Sequence, residues 1–440
     1  MSGLPTSWAD IELSVVAQVT SGIGFPNEYQ GHTSGDLPFF KVSDISHAVL
    51  ANRGELKTAN HYVSHEVAEK LKGKPLAPGS TVFAKIGEAV RLNRRATVTT
   101  PCLIDNNVMA VKARDGVDDR YVHQFLRTID FGESARSTTV PSLRKGDVEE
   151  LRFPLAPAAE QKRIADKLDT VLTRVDAVNT RLARVAPLLK RFRQSVLAAA
   201  TSGRLTEDWR LDRRLPAPKA HELGTIIRVS SGKGLTAKQM VGSGGIPVFG
   251  GNGITGYHDQ ANTVEPTLLI GRVGYYCGSV HLTPPIAWVT DNALIVRHDP
   301  KIVQKNYLFF ALQAIDLRQN DSSTAQPVIS GQKIYGLLVV LPHFDEQTEI
   351  VRRVETLFAF ADRLEARLAQ AQTAATRLTP ALLAKAFRGE LVPQDPNDEP
   401  AAELLRRLQA QRATAVSASK TGTGRGRGRT AVAAPAVTEN

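Results

Sequence analysis

The chain has few cysteines and no long apolar run. Among its 440 residues are two cysteines, Cys102 and Cys277, which lie in different halves and are typical of reduced core thiols. No apolar stretch approaches the ~20 residues that span a bilayer. Met1 to Asp10 lack the basic start and apolar stretch of a secretory signal. These absences predict a cytoplasmic protein without a membrane partner.

Motifs of enzymes that act on DNA are also missing. An amino-methyltransferase needs Asn-Pro-Pro-aromatic, and the nearest string, TPPI (283–286), has neither the amide nor the aromatic ring. The string SGKG (231–234) does not fit a P-loop, which translocation on DNA would need. His61 and His65 stand four residues apart without the glutamate of a zincin motif. We therefore expect no catalytic residues, metal or cofactor on this chain.

The charge is positive but unevenly distributed. The net charge is +11, which suggests a polyanionic partner. Residues 401–440 contain seven Arg or Lys and two Glu, and 7 − 2 = +5 leaves +6 for the first 400 residues. The end of the chain is rich in Ala, Thr, Gly and Ser, with Arg-Gly repeats, a composition that cannot bury a core. We expect residues 396–440 to be a basic, disordered tail.

Apolar residues recur twice in an unbroken 4,3 alternation, and 350 − 164 and 382 − 196 give the same offset of 186. A 3.5-residue spacing keeps one seam facing a partner helix, so each series predicts a long coiled-coil helix, and the two copies can be each other's partner. An interior proline at Pro187 predicts a bend in the first helix, whereas Pro380 lies near the end of the second. The seam positions are Ile164, Leu168, Val171, Val175, Val178, Leu182, Val185, Leu189, Phe192, Val196, Ile350, Val354, Leu357, Ala361, Leu364, Leu368, Ala371, Ala375, Leu378 and Leu382.

The repeat continues outside the helices at the same offset. Asp105-Asn106 matches Asp291-Asn292, and these symmetric positions favour duplicated Asx turns over a catalytic carboxylate pair. Glu-Gln precedes each long helix, at 160–161 and 346–347. The segments 22–77 and 232–265, in contrast, hardly align. The two halves therefore share a frame and differ in one region each.

The globular part of each half is predicted to be mixed α and β. Short β-branched runs bounded by Gly, Pro and Asx are typical of strands, and we assign strands to 80–86, 108–112, 267–273 and 293–297. Helical spacing indicates helices over 118–129 and 303–315, and Gly-rich stretches at 232–234, 242–245 and 250–256 are predicted to be loops.

Several stretches resemble one known family when they are taken in order. They are SLRKGDVEELRFPLAPAAEQKRI (142–164), ISGQKIYGLLVVLPHFDEQTEI (329–350), GNGITGYHD (251–259), KIGEAVRLNRRA (85–96) and DNNVMAVK (105–112), with GRL and GEL closing the long helices. The order and its duplication resemble the specificity (S) subunit of type I restriction-modification enzymes over about residues 5 to 395. The Arg-Gly tail and Pro187 depart from the family pattern.

The resemblance implies an α+β fold: two mixed α/β target-recognition domains in pseudo-twofold repeat, separated by two long antiparallel coiled-coil helices. The implied boundaries are domain 1 at 1–153, the central helix at 154–205, domain 2 at 206–341 and the distal helix at 342–395. Each domain would read one half of a bipartite asymmetric DNA target. The helices would set the spacing, because a seam of 33 residues spans about 50 Å.

The resemblance also implies partners. They are double-stranded DNA, two methyltransferase (modification) subunits docked on the helices, and restriction/translocase subunits reached through the complex. S-adenosylmethionine, ATP and magnesium would be used by those subunits, and none by this chain. The complex would methylate DNA in phage defence.

Candidate DNA contacts follow from donor-rich loops, since base readout needs Arg, Asn or Gln and phosphate contact needs Lys or Arg. For each group a plain solvated loop or turn remains the alternative reading. The candidates are Lys85, Arg91, Asn93, Arg94 and Arg95 after a strand; Asn252, Tyr257 and His258 in a Gly-rich stretch; Arg272, Tyr275 and Tyr276 at the position that corresponds to Lys85; and Thr138, Thr139, Ser323, Thr324 and Gln326 just before Pro141 and Pro327, which match each other at the offset of 186.

Two other functions stay open at this stage. One is a scaffold that tethers proteins to DNA without reading sequence, and the other is the recognition subunit of another class of DNA-modifying complex. The divergence of 22–77 from 232–265 favours reading over tethering, because a symmetric clamp has no need for two different surfaces.

Overall fold

The computed structural model describes residues 3–135, 140–274, 276–319 and 328–422. The described residues form two compact units: the first unit comprises those up to 179 together with 373–422, and the second unit comprises those within 180–372. The division falls within both long helices, so each half-helix belongs to the globular domain on which it packs. The sequence-based boundaries, which set the helices apart from the domains, stay a prediction.

The first globular segment is an alternation of short strands and helices. Its elements are β1 (Ala9–Glu12), α1 (Leu13–Val16), β2 (Ala17–Ser21), β3 (Leu37–Phe40), α2 (Val42–Ala51), β4 (Glu55–Leu56), β5 (Tyr62–Val63), α3 (His65–Lys70), β6 (Thr81–Ala84), β7 (Arg95–Val98), β8 (Leu103–Ile104), β9 (Val108–Ala113), α4 (Asp119–Leu126), α5 (Phe131–Ser134), α6 (Lys145–Glu149) and β10 (Arg152–Leu155).

The rest of the chain begins with a long helix and repeats much of this order. Its elements are α7 (Ala158–Thr201), α8 (Glu207–Asp212), β11 (Lys219–Glu222), α9 (Leu223–Ile226), β12 (Ile227–Ser231), β13 (Ile246–Gly250), β14 (Gly253–His258), β15 (Leu268–Gly271), β16 (Val280–Leu282), β17 (Trp288–Val289), β18 (Ala293–His298), α10 (Lys305–Ala314), α11 (Gly331–Tyr335), β19 (Leu338–Leu341), α12 (Phe344–Phe387) and α13 (Ala401–Gly422).

The predicted duplication is confirmed in the bounds of the elements. Helices α7 and α12 both have 44 residues, and 344 − 158 equals 387 − 201, or 186. Strands β10 and β19 differ by the same 186, as do α6 and α11. Near the start of each half the offset is instead 210, as between β2 and β12. An insertion of about two dozen residues therefore separates the aligned parts of the first half.

The sheets repeat as well. The first unit has a sheet of order β2-β9-β6-β7-β4, and the second unit has the shorter order β12-β18-β15-β16. Antiparallel pairs β1-β10 and β11-β19 also correspond. The insertion lies between β3 and β6, where the stretch 41–80 carries α2, β4, β5 and α3, against the much shorter stretch 251–267 between β13 and β15. The poorly aligned regions are thus the places where the two domains differ in structure.

Each unit has an apolar core that includes part of both long helices. In the first unit Ile164 and Leu168 of α7 and Phe387 of α12 belong to one buried cluster. In the second unit Val196 of α7 and Val354 of α12 do so. Burial of such a side chain stabilises the fold by roughly 1.5–3 kcal/mol. The helices are therefore fixed to the domains by hydrophobic packing.

Of the twenty predicted seam positions, seventeen are buried or half-buried. Val178 (44% exposed), Leu378 (46% exposed) and Ala371 are exposed, contrary to the prediction. Leu172 and Leu383, each one position beyond a seam residue, are buried. A straight helix drifts by about 20° per heptad relative to a 3.5-residue repeat, so the buried stripe moves off the strict seam.

Antiparallel packing of the helices is visible within the second unit. Arg193 of α7 donates a hydrogen bond to Asp362 of α12 at 2.6 Å. Arg353, nearer the start of α12, instead contacts Asp208, which follows α7, at 2.8 Å. Advancing along one helix therefore means retreating along the other. Helix α7 continues through the exposed Pro187, and the bend expected there stays a prediction.

The glutamine of each Glu-Gln pair has the same contacts. The Gln161 side chain accepts a hydrogen bond from the Asp118 amide at the start of α4 (3.0 Å), and Gln347 accepts from the Gln304 amide at the start of α10 (2.8 Å). Each also donates to the carbonyl five residues before it. Because the first amides of a helix lack partners within it, these buried glutamines satisfy a donor and join each long helix to its domain.

The glutamate of each pair binds a different segment. Glu160 accepts hydrogen bonds from the Trp8 indole (2.9 Å) and from Gln394 (2.5 Å). Glu346 accepts from Arg210 of α8 at 2.7 Å. Burial raises the pKa of Glu160, whose donors are neutral. The repeated motif therefore anchors the chain at the start of both helices with different chemistry.

The C-terminal segment corrects one prediction. We expected disorder over 396–440, but residues 401–422 form helix α13. Ala401, Leu404 and Leu408 are buried in the core of the first unit. Their spacing of three and four residues gives α13 an apolar face, which the overall composition concealed. Residues 423–440, with the Arg-Gly repeats, lie outside the described residues.

Two further features bear on the predictions. The Gly-rich stretch 250–256, expected to be a loop, contains a two-residue turn and the start of strand β14, which pairs with β13. Both cysteines are buried and free, as expected, and burial raises the pKa of Cys102 to about 12. Within the described residues, no helix has the length and apolar character required to cross a membrane.

Candidate nucleic-acid interface

In the first unit, three segments meet at one end of the five-stranded sheet. Lys85 follows β6, and its amide donates to the carbonyl of Asn107 at 2.8 Å. Its carbonyl accepts from the amide of Leu143 at 2.8 Å, and Gly87 donates to Pro141 at 2.9 Å. The predicted basic loop, the turn before β9 and the segment after residue 140 are therefore brought together.

The second unit has the same arrangement. The amide of Arg272 donates to the carbonyl of Asn292 at 2.9 Å, and its carbonyl accepts from Ile329 at 2.8 Å. Arg272 is thus the structural counterpart of Lys85, as the sequence predicted. We call these two regions the first and second sheet ends: residues 85–94, 105–107 and 141–143, and residues 272–274, 276–279, 290–292 and 328–330.

Sequence comparison missed the asparagine beside each basic residue. It aligned Asn106 with Asn292, whereas the shared hydrogen bonds align Asn107 with Asn292. This correspondence is visible in the offset between the two halves, which is 185 rather than 186 at strands β9 and β18. The Asn292 side chain is exposed, while Asn107 is half-buried in a turn in which its amide donates to Asp105 at 2.7 Å. That bond confirms the Asx turn at Asp105.

A glycine lies at each sheet end, directly after strand β2 in the first unit and after strand β12 in the second unit. A Cβ on Gly22 would collide with the carbonyl oxygen of Asp105, and one on Gly232 would collide with that of Thr290. The two backbones can approach so closely only because these residues have no side chain. Gly22 and Gly232 share the offset of 210 and occupy matching positions after β2 and β12.

The loop after Lys85 presents two arginines. Arg91 is exposed and forms an ion pair with Glu88 at 3.6 Å. Arg94 is half-buried, and its guanidinium has no hydrogen bond or ion pair with any described residue. Leu92, between them, is exposed. The loop therefore offers cationic donors to solvent next to Lys85.

Arg95 and Asn93 are not available in the same way, which corrects two of the candidates. Arg95 is 6% exposed, and it donates to the Asn93 side chain (3.1 Å) and the Ile129 carbonyl (2.5 Å). Burial lowers the pKa of Arg95 to about 10. Asn93 donates to Asp130 at 2.6 Å and accepts from the Phe131 amide at 2.8 Å. Arg95 is therefore buried, and both amide atoms of the half-buried Asn93 already have partners within the chain.

The candidates of the Gly-rich stretch divide into two places. Asn252 is exposed in the turn between β13 and β14, and the neighbouring Gly251 carbonyl accepts from Ser279 at 2.6 Å, which places this turn at the second sheet end. Tyr257 and His258 lie at the other end of β14, about 17 Å along the strand. His258 contacts Trp288 edge-on, with 5.1 Å between ring centroids.

The remaining candidates are only partly described. Arg272 is half-buried, and its guanidinium lies 3.3 Å from the Ser231 hydroxyl. Tyr276 is exposed at the second sheet end. The other six lie outside the described residues: Thr138, Thr139, Tyr275, Ser323, Thr324 and Gln326.

Among the described residues, no three His, Cys, Asp or Glu side chains are grouped so as to hold a metal ion. His61, one of the two histidines tested above, accepts a hydrogen bond from the Gly31 amide at 2.9 Å, which engages one ring nitrogen. What the two sheet ends offer is a set of cationic and amide donors, a combination suited to phosphates and base edges.

The fold and these sheet ends define a class of protein: a duplicated α/β chain in which each domain is joined to a long antiparallel helix. The family model described as the type I restriction modification DNA specificity domain matches residues 5–186 and 219–372. The chain therefore belongs to this family. The two matched ranges coincide with the two copies of the repeat.

Relatives agree with this assignment, and solved structures share the fold. The type I restriction enzyme EcoBI specificity subunit of Escherichia coli is 28% identical and aligns over 93% of each chain. The EcoKI specificity subunit of Escherichia coli (strain K12) is 31% identical over 63% of this chain and 67% of its own. The HsdS subunit from Thermoanaerobacter tengcongensis covers 88% of this chain and 98% of its own, with a TM-score of 0.55 and 19% identity. A chain of a type I R-M system covers 88% and 99%, with a TM-score of 0.66 and 19% identity.

Proposed function

We propose that this chain is the DNA-binding specificity subunit of a type I restriction-modification complex and that it carries no catalytic residues itself. The main support for the proposal is that the two domains share one arrangement of strands and helices but differ in the stretch inserted into it. Matching hydrogen bonds hold Lys85 and Arg272 at equivalent sheet ends. Of the adjacent stretches, 41–80 is much longer than 251–267. Two domains of equal construction and unequal surface are suited to two unequal half-sites.

Each domain would read one half of a bipartite asymmetric target through its sheet end. Lys85, Arg94 and Arg272 supply cations for phosphates or guanine edges, and Asn252 and Asn292 supply amides of the kind that pair with adenine. The predicted contacts at Tyr257 and His258 receive less support, because they lie away from the second sheet end.

The long helices would hold the two readers at a fixed spacing and bind the modification subunits. A helix of 44 residues is about 66 Å long at the usual rise. Residues outside the seam are exposed along both helices, among them Leu188 (54% exposed) and Phe360 (48% exposed). Two modification subunits would bind there, since the helices are themselves a repeat. S-adenosylmethionine, ATP and magnesium would act on the partner subunits.

The proposal is tested by activity with and without a modification subunit. The purified chain alone should transfer no methyl group from S-adenosylmethionine to DNA and should not cut it. With a matching modification subunit it should support methylation of specific adenines. A chain carrying both Lys85→Ala and Arg272→Ala should assemble normally but lose methylation, whereas Arg388→Ala, at an exposed pair with Glu390, should behave as wild type.

Two results would contradict the proposal. Turnover of S-adenosylmethionine by the isolated chain would assign catalysis to it. Binding of every duplex with equal affinity, in the presence of the modification subunit, would favour a tethering scaffold that does not read sequence.

A further inference from the structure

A polar network beside the first sheet end, which runs from the buried Arg95 to the exposed Asp130, has no full counterpart among the described residues of the second. It joins strand β7 to helix α5 through Arg95, Asn93, Asp130 and Phe131, which we call the Arg95 network. The guanidinium of Arg95 lies over the Phe131 ring, 4.4 Å from its centroid. Arg95 also donates to Asn93 at 3.1 Å. The cation is thus held on one side by an aromatic face and on another by an amide oxygen.

Asn93 is the centre of this network. Its backbone has φ +51°, in the left-handed region where Asn is tolerated and Gly is favoured. Its amide nitrogen donates to Asp130 at 2.6 Å, while its oxygen accepts from Arg95 and from the Phe131 amide. The hydrogen bond from Asn93 lowers the pKa of Asp130. One side chain therefore bridges the loop and the helix.

The network fixes the loop that carries the cationic donors. Asp130 also accepts from the amide of Gly132 at 2.8 Å. A Cβ on Gly132 would lie 3.3 Å from the Cα of Arg91, so α5 and the loop are in direct backbone proximity. Phe131 packs on Phe83 of β6, with 4.6 Å between centroids. The arginines of the loop are therefore held against a rigid part of the first unit.

The second unit lacks these side chains at the matching positions. Strand pairing opposes Arg95 to Phe83 and Val280 to Ile270, which makes Val280 the counterpart of Arg95. Two residues earlier, Gly278 (φ +86°) stands where the first unit has Asn93. Only the aspartate is repeated. The Asp316 side chain accepts a hydrogen bond from the backbone amide of Arg318 at 3.0 Å, as the Asp130 side chain does from the backbone amide of Gly132.

We infer that Asn93 and Arg95 are positioning residues specific to the first reader, which hold Arg91 and Arg94 in the orientation that reads one half-site. The inference rests on the function proposed above. A protein that contacts bases needs hydrogen-bond donors that are held in place before binding. A loop that becomes ordered only on the DNA loses affinity, and a loop that can adopt several geometries discriminates less well between sequences. A network of neutral and charged hydrogen bonds supplies that order without touching the DNA.

The decisive variant is Asn93→Gly, which suits the left-handed backbone and copies the second unit. The full chain, in complex with its modification subunit, is titrated with the cognate duplex and with two duplexes that have one half-site scrambled, over a series of salt concentrations. Asn93→Gly should lower discrimination at one half-site about tenfold and leave the other unchanged. The slope of log K against log[salt] should not change, because no charge is removed.

Three further variants are compared with Asn93→Gly in the same titrations. Arg94→Ala should affect the same half-site and, if it contacts a phosphate, flatten the salt slope by about one unit. Arg95→Lys keeps the charge but not the planar fork and should resemble Asn93→Gly. Asn262→Ala is the matched control, because this amide bridges two segments of the second unit through Val289 and should leave the first half-site unchanged.

The outcomes separate the inference from the function on which it rests. If the wild-type complex does not discriminate among the three duplexes, the proposed function fails. If it discriminates and Asn93→Gly retains discrimination within about twofold, or loses both half-sites equally, the positioning role is refuted. A lower melting temperature with unchanged discrimination also refutes it, since that pattern belongs to a residue that only stabilises the fold.

Discussion

Removing Arg210 should destabilise the second unit far more than removing an exposed arginine. Arg210 lies in α8, after the first long helix, and its guanidinium is 2.7 Å from the Glu346 carboxylate at the start of the second. The Glu346 side chain is 0% exposed and that of Arg210 is 12% exposed. Thr206 donates to the same carboxylate oxygen at 2.7 Å, and the other oxygen is buried without a partner among the described residues. Arg210→Ala therefore leaves a buried carboxylate with one neutral donor.

The magnitude follows from that burial. Breaking a buried ion pair by deleting one partner costs about 3–5 kcal/mol, because the remaining charge stays desolvated and uncompensated. Removing both charges is milder, so Arg210→Met combined with Glu346→Leu should recover most of the loss. The matched control is Arg388→Ala. Its pair with Glu390 is about half exposed on both sides, and such pairs contribute at most about 1 kcal/mol.

Urea unfolding with hydrogen-exchange mass spectrometry measures these differences by unit. Peptides from α8 and from the start of α12 should lose protection in Arg210→Ala, while those containing Ile164 and Leu168 in the first unit should not. A loss below about 1 kcal/mol, or a double variant as unstable as Arg210→Ala, would refute the reasoning, since the ordinary cost of breaking a buried pair is several times larger. Either result would mean that water or rearrangement solvates Glu346.

Three other predictions concern the spacer, the histidine His123 of helix α4 and the C-terminal helix. Deleting residues 171–177 and 357–363 removes one heptad from each helix and shortens each helix by about 10 Å. The methylation target should then have fewer base pairs between unchanged half-sites. An unaltered target would show that the helices do not set the distance between the half-sites. Burial lowers the pKa of His123 from 6.5 to about 3, so the unfolded state takes up a proton first as the pH falls. The free energy of unfolding should then drop by about 2 kcal/mol between pH 6.5 and pH 5, and His123→Gln should remove that part of the slope in urea titrations. Leu404→Ala with Leu408→Ala should lower the stability of the first unit by several kcal/mol, at roughly 2–5 kcal/mol for each buried leucine, and an unchanged urea midpoint would show that α13 is not part of the core.

The helical frame was predictable from the sequence because its signal is periodic and local. The 4,3 alternation recurs with an offset of 186, and the observed helices α7 and α12 differ by that same number. Burial at the start of each helix also follows, as at Ile164 and Ile350, both fully buried. The exposed Val178 was not predictable, because the buried stripe depends on how far each helix remains in contact with its own domain.

Residue roles at the first sheet end were harder to predict, since they depend on contacts between segments distant in the chain. Four of five candidates in this loop are basic, and composition alone treats them alike. Arg95 is buried only because Ile129 and Phe131 come back to cover it. The strand bounds separate the two arginines, because Arg95 is the first residue of β7, which is buried on both faces at Arg95 and Ala96, whereas Arg94 precedes the strand.

Helix α13 was missed for a compositional reason. The sequence end was judged by its Ala, Thr, Gly and Arg content, but two leucines four residues apart are enough to seat a helix on an existing core. Leu404 lies 3.0 Å from the position that a Cβ on Gly116 would occupy, so the core was already shaped to receive it. Short amphipathic segments gain stability from tertiary packing rather than from their own propensity.

The central claim is that two different readers on one chain specify the two halves of one target. Methylation profiling tests it most directly, in a host carrying this chain and its modification subunit, with wild-type residues 206–341 and with that range replaced by the equivalent domain of a relative. We expect one asymmetric bipartite motif with a fixed gap, in which the replacement changes one half and leaves the other half and the gap intact. A contiguous motif, no enriched motif, or a change in both halves would contradict it.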